Sequence, residues 1–539
     1  MIMLPDRAKQ KEIGSGTLEG FFEKYPVGGF FMGWMLFKDV AWEDRAEVQR
    51  KAVEEYAKAS KYPLFFQQDY ERGAGGGNTP MPTEMALGAT NSTGLAYDYG
   101  KSVALEARSV GVSWMLHPVA DLNVNPFNSI VNVRGISDDP DKAIRLLSQQ
   151  IKGIQDQKVA ATIKHFPGDG MDYRDQHLMA TTNSLSMEAW HQQHGKVFQA
   201  LIDSGVACIM PGHITLPAYQ KEKVNGFYPP ATLSKELLTD LLKGEMNFNG
   251  AIVSDAMVMG GFRGWYSPMI EAEIKSFEAG VDIMLWPSYA FMDTLEARII
   301  RGEVPMARLD DAVSRAWAMK ERVGLLGNDF EHIRPLKPAE QDLAKKVALA
   351  VSQKALTLVR DRNQQIPLDP KADKKVLLIK VANQGRKGGS GEVNALDNFG
   401  EELRKRGFEV DIQHNLLYES QGWTEDVSTQ YDKIIIALAR RPHAPFGPIQ
   451  LWDDEAQTAW GVNAMPKDNL IVISFGNPYH MNEYFERVNT CINAYANTPM
   501  MHRAVAEALV GESEINGESP VDLNVKITIE QRPNEINVR

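Results

Sequence analysis

The most informative stretch of the chain is residues 159–170, Val159-Ala160-Ala161-Thr162-Ile163-Lys164-His165-Phe166-Pro167-Gly168-Asp169-Gly170. Its first five residues predict a buried β-strand, and the Pro-Gly and Asp-Gly pairs predict an abrupt exit into a loop. Lys164 and His165 therefore stand at the end of a strand, where α/β enzymes collect their reactive groups. Two basic residues that merely end a strand are the structural alternative, but the density of ionisable residues here favours a functional site.

The same pattern of an apolar run, a loop and an amphipathic segment repeats through the first 330 residues. Helical periodicity is clear in segments such as Asp44–Ser60, Thr93–Val110 and Ser234–Glu245. Eight strands with intervening helices predict a (β/α)8 barrel of the TIM type, with an open doubly wound sheet as the alternative. The eight predicted strands are Met1–Pro5, Gly28–Trp34, Pro63–Asp69, Ser113–Asn123, Val159–Phe166, Ala207–Ile214, Gly250–Met257 and Asp282–Pro287.

Polar side chains at the ends of five of these runs favour the barrel. In a barrel, the carboxyl ends of all strands meet at one face, and active sites lie there. Any one of these residues could be an ordinary polar group at a strand end, but five strands agree. The residues are Asp69, His117, Asp121, Lys164, His165, His213 and Asp255.

A second alternating region follows a charged, proline-containing connector. We expect a barrel over residues 1–330, a linker over 331–350 and a separate layered α/β domain over 351–539, near the usual domain size. This second domain has no comparable set of acids and bases, which favours structural support or covering of the substrate side. Its predicted strands are Ala355–Val359, Lys375–Val381, Phe408–Ile412, Lys433–Ala437 and Leu470–Phe475, with helices over Asn394–Arg406 and His502–Val510.

Composition excludes several classes of protein. The chain has 539 residues and a net charge of −12, with no run of Lys and Arg, which argues against binding nucleic acid or anionic membranes. Cys208 and Cys491 lie in apolar runs and are expected to be buried hydrophobes rather than a disulfide or zinc ligands. No segment is long and apolar enough to span a membrane. We expect a cytoplasmic protein, with export after removal of an upstream signal as the alternative.

A carboxylate at the end of an apolar strand suits nucleophilic catalysis. Asp255 could attack an electrophilic carbon and form a covalent intermediate, as retaining glycosidases require. His177 is the better candidate for protonating the leaving oxygen, because imidazole titrates near neutral pH. Asp175 could bond that imidazole and fix its tautomer. The alternative for this pair is a solvated loop.

The remaining polar residues at this face suit sugar binding. Asp69, Arg134, Lys164 and His165 would bind hydroxyl groups around a sugar ring. An ion pair between Arg134 and Asp138 or Asp139 is an equally simple interpretation. His191 and His194 have the spacing of metal ligands, but an exposed helix face explains that spacing better.

At these residues the chain resembles glycoside hydrolase family 3, especially its β-N-acetylglucosaminidase branch. Nearly the whole chain is covered by the resemblance. The branch usually has a histidine where this chain has Asp169. After the third strand it usually reads Asp-x-Glu-Gly-Gly-Arg, whereas this chain reads Asp69-Tyr70-Glu71-Arg72-Gly73-Ala74. The matching pieces are Lys164–Gly168, Asp175 with His177, Ser254-Asp255, Asp69 with Glu71, Asn125-Pro126, Arg134-Gly135, Asp139-Pro140, Ser474–Tyr479 and the segment from Gly511 to Val521.

The resemblance implies a (β/α)8 barrel followed by an αβα sandwich, and hydrolysis by double displacement without a metal or organic cofactor. It makes Asp255 the nucleophile, and a mobile His177 supported by Asp175 the acid/base. It further places a set of residues around the sugar ring. These are Asp69, Arg134, Lys164 and His165 on hydroxyl groups, with Met210 and His213 near the ring.

We therefore expect an exo-acting β-N-acetylhexosaminidase that releases terminal GlcNAc from peptidoglycan- or chitin-derived glycans. The expected partner is a carbohydrate, and either a monomer or a homodimer is compatible with the sequence. A phosphorylase that resolves the same intermediate with phosphate is the nearest alternative, because a histidine repels phosphate less than a glutamate does. A β-glucosidase or xylosidase of the family and a non-catalytic sugar-binding protein are further alternatives.

Overall fold

A computed structural model describes residues 1–74, 79–327, 333–381, 394–415, 429–442, 450–451 and 454–524. It shows a mixed α/β protein with two large sheets, a parallel one formed by the first 252 residues and a mainly parallel one formed by residues 357–493. No helix among these residues is long and apolar enough to cross a membrane.

The first sheet has seven parallel strands in the order β1-β2-β3-β4-β5-β7-β9 and is curled. Its two edges approach the same segment, because Ile283 bridges Val253 beyond β9 and Leu285 bridges Ile2 of β1. The seven strands are β1 Ile2–Met3, β2 Gly29–Phe31, β3 Phe65–Gln68, β4 Trp114–Met115, β5 Ala160–Phe166, β7 Cys208–Pro211 and β9 Ala251–Ile252.

Three predictions for this sheet need correction. Residues 282–287, the predicted eighth strand, pair with their neighbours only through the two isolated bridges at Ile283 and Leu285. β4 ends at Met115, so the residues from Leu116 to Asn123 lie in a loop. A separate two-stranded sheet joins β6 (Thr181–Thr182) to β8 (Ile214–Thr215), which was not predicted. The run 207–214 therefore divides between two sheets.

Helices cover the outside of the curled sheet, and the predicted segments agree with them closely. The predicted segment 234–245 is a wide, π-type helix, Glu236–Glu245. The α-helices of this part are Arg7–Ile13, Leu18–Lys24, Arg45–Ala59, Glu84–Thr90, Thr93–Ser109, Pro140–Gln155, Met187–Gln192, His194–Asp203, Met269–Ala279, Ala290–Ile300 and Met306–Arg322. Short 3-10 turns are Trp34–Phe37, Trp42–Asp44, Asn132–Arg134, Ala231–Leu233 and Leu325–Gly327.

The interior of the curled sheet is a packed core rather than a channel. Trp114 is fully buried there, and its Nε1 donates to Oγ1 of Thr162 at 2.6 Å. Cys208 is buried in the same core and unpaired, as is Cys491 in the second sheet. Because buried side chains fill the interior of the curled sheet, a ligand can reach the strand ends but not the strand centres.

The second sheet has the order β10-β15-β14-β13-β11-β12, and only the β10–β15 pair is antiparallel. The four-residue β15 was not predicted. The strands are β10 Thr357–Asp361, β11 Lys375–Val381, β12 Glu409–His414, β13 Lys433–Leu438, β14 Leu470–Ser474 and β15 Thr490–Asn493. The helices of this part are Asp397–Arg404, Asp454–Ala464, His480–Glu483 and Pro499–Leu509.

The two parts are joined by a helix and by direct hydrogen bonds. Pro338–Ala355 is an 18-residue helix that covers most of the expected linker and packs against helices of both parts. Tyr479 Oη donates to the carbonyl of Asn123 at 3.2 Å, and Ser137 Oγ donates to the carbonyl of Pro520 at 2.6 Å. The loops that follow β4 are thus fixed against the second part.

Candidate active site

A cleft of about 980 Å³ opens at the carboxyl ends of the curled sheet. Residues from at least six of its strand ends contribute to the walls. The second part of the chain also contributes, and covering of the substrate side was one of the two roles expected for it. The lining includes Phe31, Asp69, Glu71, Leu116, Arg134, Lys164, His165, His177, Met210, Asp255, Leu285, Trp286, Arg441, Phe475, Tyr495, Asn497 and Thr498.

A compact charge cluster forms one wall of the cleft. Nζ of Lys164, on a side chain only 2% exposed, lies 2.7 Å from Oε1 of Glu71 and 3.1 Å from Oδ1 of Asp69. Arg134 donates to both oxygens of Glu71, at 2.7 and 2.8 Å. Arg134 therefore pairs with Glu71, and not with Asp138 or Asp139 as the alternative interpretation of the sequence had it.

Electrostatics keep this cluster ionised. Burial alone opposes the charge on Glu71, but Arg134 and Lys164 outweigh it and hold the pKa of Glu71 well below its usual value. Burial also opposes the charge on Lys164, yet Glu71 and Asp69 raise its pKa. Asp69 is the exposed member, with half of its side chain accessible from the cleft. It is therefore the carboxylate best placed to accept hydrogen bonds from a bound molecule.

His165 is fixed between two aspartates. Its Nδ1 donates to Oδ2 of Asp121 at 2.7 Å, and its backbone NH donates to Oδ1 of the same residue at 2.9 Å. Its Nε2 lies 4.0 Å from Oδ2 of Asp255. The β5–β7 register shifts between Lys164 and Phe166. Such an irregularity redirects side chains, and here Lys164 and His165 both contribute to the cleft.

Asp255 follows the short strand β9 and its side chain is 12% exposed. Its Oδ1 accepts from the backbone NH of Ala256 at 2.7 Å. Burial opposes ionisation of Asp255, but the nearby imidazoles, His165 first, lower its pKa. An ionised carboxylate with one oxygen facing the cleft is the form that a nucleophile needs.

Asp175 and His177 form the dyad that the sequence predicted as a pair. Nδ1 of His177 donates to Oδ1 of Asp175 at 2.7 Å, and the backbone NH of His177 donates to the same oxygen at 2.8 Å. Since an ionised carboxylate only accepts, the hydrogen stays on Nδ1 and Nε2 is left to exchange a proton. The His177 side chain is 31% exposed and lines the same cleft as Asp255.

The loop that carries this dyad rests on a pair of glycines after β9. The backbone NH of Gly260 donates to the carbonyl of His177 at 2.8 Å. A Cβ on Gly260 would lie 2.2 Å from the carbonyl oxygen of Leu178, and one on Gly261 would lie 2.6 Å from that of Gln176. The loop and the Asp255 segment therefore approach more closely than any side chain at these glycines would permit.

Met210 and His213, which were both expected near the sugar ring, differ in their access to the cleft. Met210 lines the cleft, whereas His213 is fully buried behind it. Nε2 of His213 donates to the carbonyl of Ala256 at 3.2 Å, and its Nδ1 lies 2.9 Å from Oγ1 of Thr232. Burial lowers the pKa of His213 to about 4, so this imidazole is neutral at pH 7 and supports the Asp255 loop.

Asp169 lies beneath the dyad loop. Its carboxylate accepts from Nδ2 of Asn128 at 3.0 Å and from Nε2 of Gln176 at 3.1 Å, and its backbone NH donates to Asp121 at 2.7 Å. Burial and the charge of Asp121 raise the pKa of Asp169 to about 7. The carbonyl of Asp169 accepts from Nε2 of His194 at 3.0 Å, so His194 is buried rather than part of an exposed helix face.

Sequence reasoning had not selected several residues of this site. Glu71 and Asp121 were visible as motif or strand-end residues, but nothing local indicated their partners. Arg441 and Asn497 come from the second part, and only the packing of the two parts brings them to the cleft. Among the residues that the structure describes, no group of three or more His, Cys, Asp or Glu side chains could hold a metal ion.

Comparison with known proteins gives consistent matches. Residues 15–319 match the model of the glycosyl hydrolase family 3 N terminal domain. The chain is 31% identical over 523 residues to a β-N-acetylglucosaminidase/β-glucosidase of Cellulomonas fimi, covering 92% of this chain and 90% of that protein.

Solved structures resemble the whole chain. A β-glucoside phosphorylase, BglX, matches with a TM-score of 0.80 at 31% identity, covering 92% of this chain and 89% of the other. A family 3 β-N-acetylglucosaminidase from Paenibacillus sp. str. FPU-7 matches with a TM-score of 0.78 at 26% identity, covering 97% of this chain and 96% of the other.

Proposed function

Because the chain belongs to glycosyl hydrolase family 3, we propose that it is a retaining, exo-acting β-N-acetylglucosaminidase that cleaves terminal GlcNAc from peptidoglycan- or chitin-derived glycans. The observation that carries the proposal is the Asp175–His177 dyad, whose imidazole lines the same cleft as the buried carboxylate of Asp255. A nucleophile and a proton donor on separate loops of one cleft are the two groups that double displacement requires.

In the first step, Asp255 attacks the anomeric carbon as the bond to the leaving oxygen breaks. His177 transfers its Nε2 proton to that oxygen, and Asp175 keeps the ring oriented through Nδ1. In the second step, His177 accepts a proton from water, and the water oxygen attacks the anomeric carbon. The glycosyl–aspartate bond breaks, which restores the Asp255 carboxylate and leaves the anomeric configuration of the substrate retained.

The charge cluster is proposed to hold the terminal sugar. Asp69 can accept from hydroxyl groups, while Arg134, Lys164 and His165 can donate to them, and Met210 supplies an apolar contact. Because Glu71 already neutralises Arg134 and Lys164, these donors are positioned before any ligand arrives. A wall of fixed donors and acceptors suits recognition of the hydroxyl groups of a terminal sugar, which supports exo action.

The two sheets also support a finer proposal for the fold. We propose that the curled sheet with its bridges through Ile283 and Leu285 is a (β/α)8 barrel over residues 1–330. The second sheet with its flanking helices is then an αβα sandwich over residues 351–539, joined by residues 331–350. Limited proteolysis that releases two stable fragments divided within 331–350 tests this assignment.

The catalytic assignment is tested with aryl β-N-acetylglucosaminides and aryl β-glucosides. We expect preference for GlcNAc, and almost complete loss of activity in Asp255→Ala on every substrate. In His177→Ala we expect a large loss of activity on substrates with poor leaving groups. The loss should be small on dinitrophenyl glycosides, because the dinitrophenolate ion departs without a proton. Full activity of His177→Ala on poor leaving groups shows that the dyad is not the acid/base.

Phosphorolysis is the second candidate, and the whole-chain likeness to a β-glucoside phosphorylase favours it. The same glycosyl–aspartate intermediate is then attacked by phosphate instead of water. A neutral imidazole presents no negative charge to the incoming anion. Wild-type enzyme incubated with phosphate and a glycoside yields glycosyl phosphate if this candidate is right, and only free sugar if hydrolysis is right.

A further inference from the structure

A second cavity, of about 360 Å³, lies at the opposite end of the curled sheet from the catalytic cleft. It is bounded by Ile2 and Phe65, the first residues of β1 and β3, by Gly28 just before β2, by Ile283, and by helix Met306–Arg322. Its volume lies within the range of small-ligand sites. The described residues that line this cavity and those that line the catalytic cleft do not overlap, so the two spaces are separate.

The cavity is lined mainly by apolar side chains. Phe277, Phe291, Leu295 and Leu309 lie along its walls. Its rim is open, because the side chains of Tyr62 and Trp317 are 47% and 39% exposed. An apolar pocket with exposed aromatic residues at its rim is suited to a molecule with a hydrocarbon body.

Lys320 is the group that gives this cavity a chemical preference. The residue is only 7% exposed, and its Nζ lies 5.3 Å from the ring centres of both Phe65 and Trp317. Burial lowers its pKa to about 8. No described carboxylate forms an ion pair with it, whereas buried lysines are normally paired.

The one carboxylate among the described lining residues is already neutralised. Asp282 accepts from Nζ of Lys243 at 2.8 Å and from Arg308 at 2.8 Å. Its charge is therefore satisfied by two cations outside the cavity. Among the described residues, no carboxylate serves as counter-ion to Lys320, and its ammonium group borders this apolar cavity.

We propose that this cavity binds a monocarboxylate with a saturated hydrocarbon chain, its carboxylate on the Lys320 ammonium group and its chain against Phe277, Phe291 and Leu295. The anion supplies the charge partner that the protein does not, and the chain covers apolar surface that otherwise faces water. The site is independent of the proposed function, because it lies at the other end of the sheet.

Calorimetric titration of the full chain with hexanoate, octanoate and decanoate tests the proposal. We expect saturable binding of one molecule, about tenfold tighter for decanoate than for octanoate because two more methylenes are buried. Decanol, which has the same chain without the charge, should bind at least about tenfold more weakly than decanoate. No binding, or equal affinity for decanoate and decanol, overturns the proposal.

Two variants of Lys320 locate the binding. Lys320→Met should weaken decanoate binding at least about tenfold and leave decanol binding unchanged, whereas Lys320→Arg should retain most of the affinity. Circular dichroism confirms that both variants are folded. Unchanged decanoate binding in Lys320→Met shows that the ligand sits elsewhere and overturns the proposal.

Chemical protection gives an independent measurement on the unaltered protein. Trace acetic anhydride labels lysines, and peptide mass spectrometry reads the extent of labelling at Lys320. Saturating decanoate should slow labelling at Lys320 severalfold and leave an exposed lysine such as Lys51 unaffected. Equal labelling of Lys320 with and without decanoate contradicts binding at this cavity.

Discussion

Two buried lysines at opposite ends of the curled sheet differ in how their charge is balanced. Lys164, at the carboxyl end, contacts the carboxylates of Asp69 and Glu71, which raise its pKa. Lys320, at the amino end, contacts two aromatic rings, and burial lowers its pKa to about 8. Similar burial thus accompanies opposite shifts, and the partners decide the direction.

The comparison shows that the buried charges at the carboxyl end of the sheet are already paired with one another. Its charges satisfy one another before substrate binds, so their geometry is set in advance. At the amino end, the charge of Lys320 has no counter-ion among the residues that the structure describes. Four predictions test this difference, beginning with the one of largest expected effect.

Removal of the proposed nucleophile, Asp255, should separate the two ends most strongly. Asp255→Ala should lower kcat/KM for glycosides by about 10⁴-fold or more, which corresponds to about 5.5 kcal/mol of lost transition-state stabilisation. Lys320→Met, the matched change at the other end, should alter kcat/KM by less than about twofold. Steady-state kinetics on an aryl glycoside measures both. A large loss in Lys320→Met refutes the functional separation of the ends.

Replacing each lysine by methionine should affect stability in opposite directions. Lys164→Met leaves Glu71 with one cation instead of two, and we expect the free energy of unfolding to fall by about 3–5 kcal/mol. Lys320→Met removes an unpaired buried charge and should be neutral or stabilising at pH 7. Urea unfolding of both variants measures the difference. Equal destabilisation of the two would contradict the role assigned to charge pairing.

Two buried carboxylates at the catalytic end provide a finer comparison. Burial and Asp121 raise the pKa of Asp169 to about 7, so between about pH 4 and 7 the folded chain holds a proton that the unfolded chain has lost. This contribution weakens as pH rises through that window. Asp169→Asn should therefore become more stable relative to the parent by about 1–3 kcal/mol as pH rises from about 4 to 7.

Glu71→Gln is the control for that experiment. The pKa of Glu71 is held well below its usual value, so its stabilising charge is fully present above about pH 4.5 and is lost only in more acidic solution. The difference between Glu71→Gln and the parent should be flat across neutral pH. Chemical unfolding at a series of pH values measures both variants, and a flat profile for Asp169→Asn would contradict its raised pKa.

Lys320 should produce the smallest effect, confined to alkaline solution. Its lowered pKa means that, between about pH 8 and 10.5, the unfolded chain binds a proton that the folded chain does not. Parent stability therefore gains about 1–2 kcal/mol across this window relative to Lys320→Met. Thermal unfolding between pH 7.5 and 10 follows the gain. A constant difference between the two proteins would show that the lysine keeps its ordinary pKa.

Local pattern alone was enough to predict most elements of the fold. Apolar runs located all seven strands of the first sheet because each run is buried on both faces, as parallel strands are. The four-residue β15 was missed, since its sequence Thr-Cys-Ile-Asn mixes polar and apolar residues and its strand character comes from two neighbouring strands. Residues 282–287 also contain an apolar run, but only Ile283 and Leu285 form backbone bridges to neighbouring strands.

Local sequence was enough to place Lys164, His165 and Asp255 at or just beyond strand ends and to pair Asp175 with His177, because these relations span only a few residues. Tertiary structure alone decided that Arg134 meets Glu71, that His165 lies between Asp121 and Asp255, and that Arg441 reaches the cleft. It also decided that Lys320 has aromatic neighbours instead of a carboxylate. The physical reason is that a charge chooses its partner by distance and burial, and for residues far apart in the chain both quantities are set by packing.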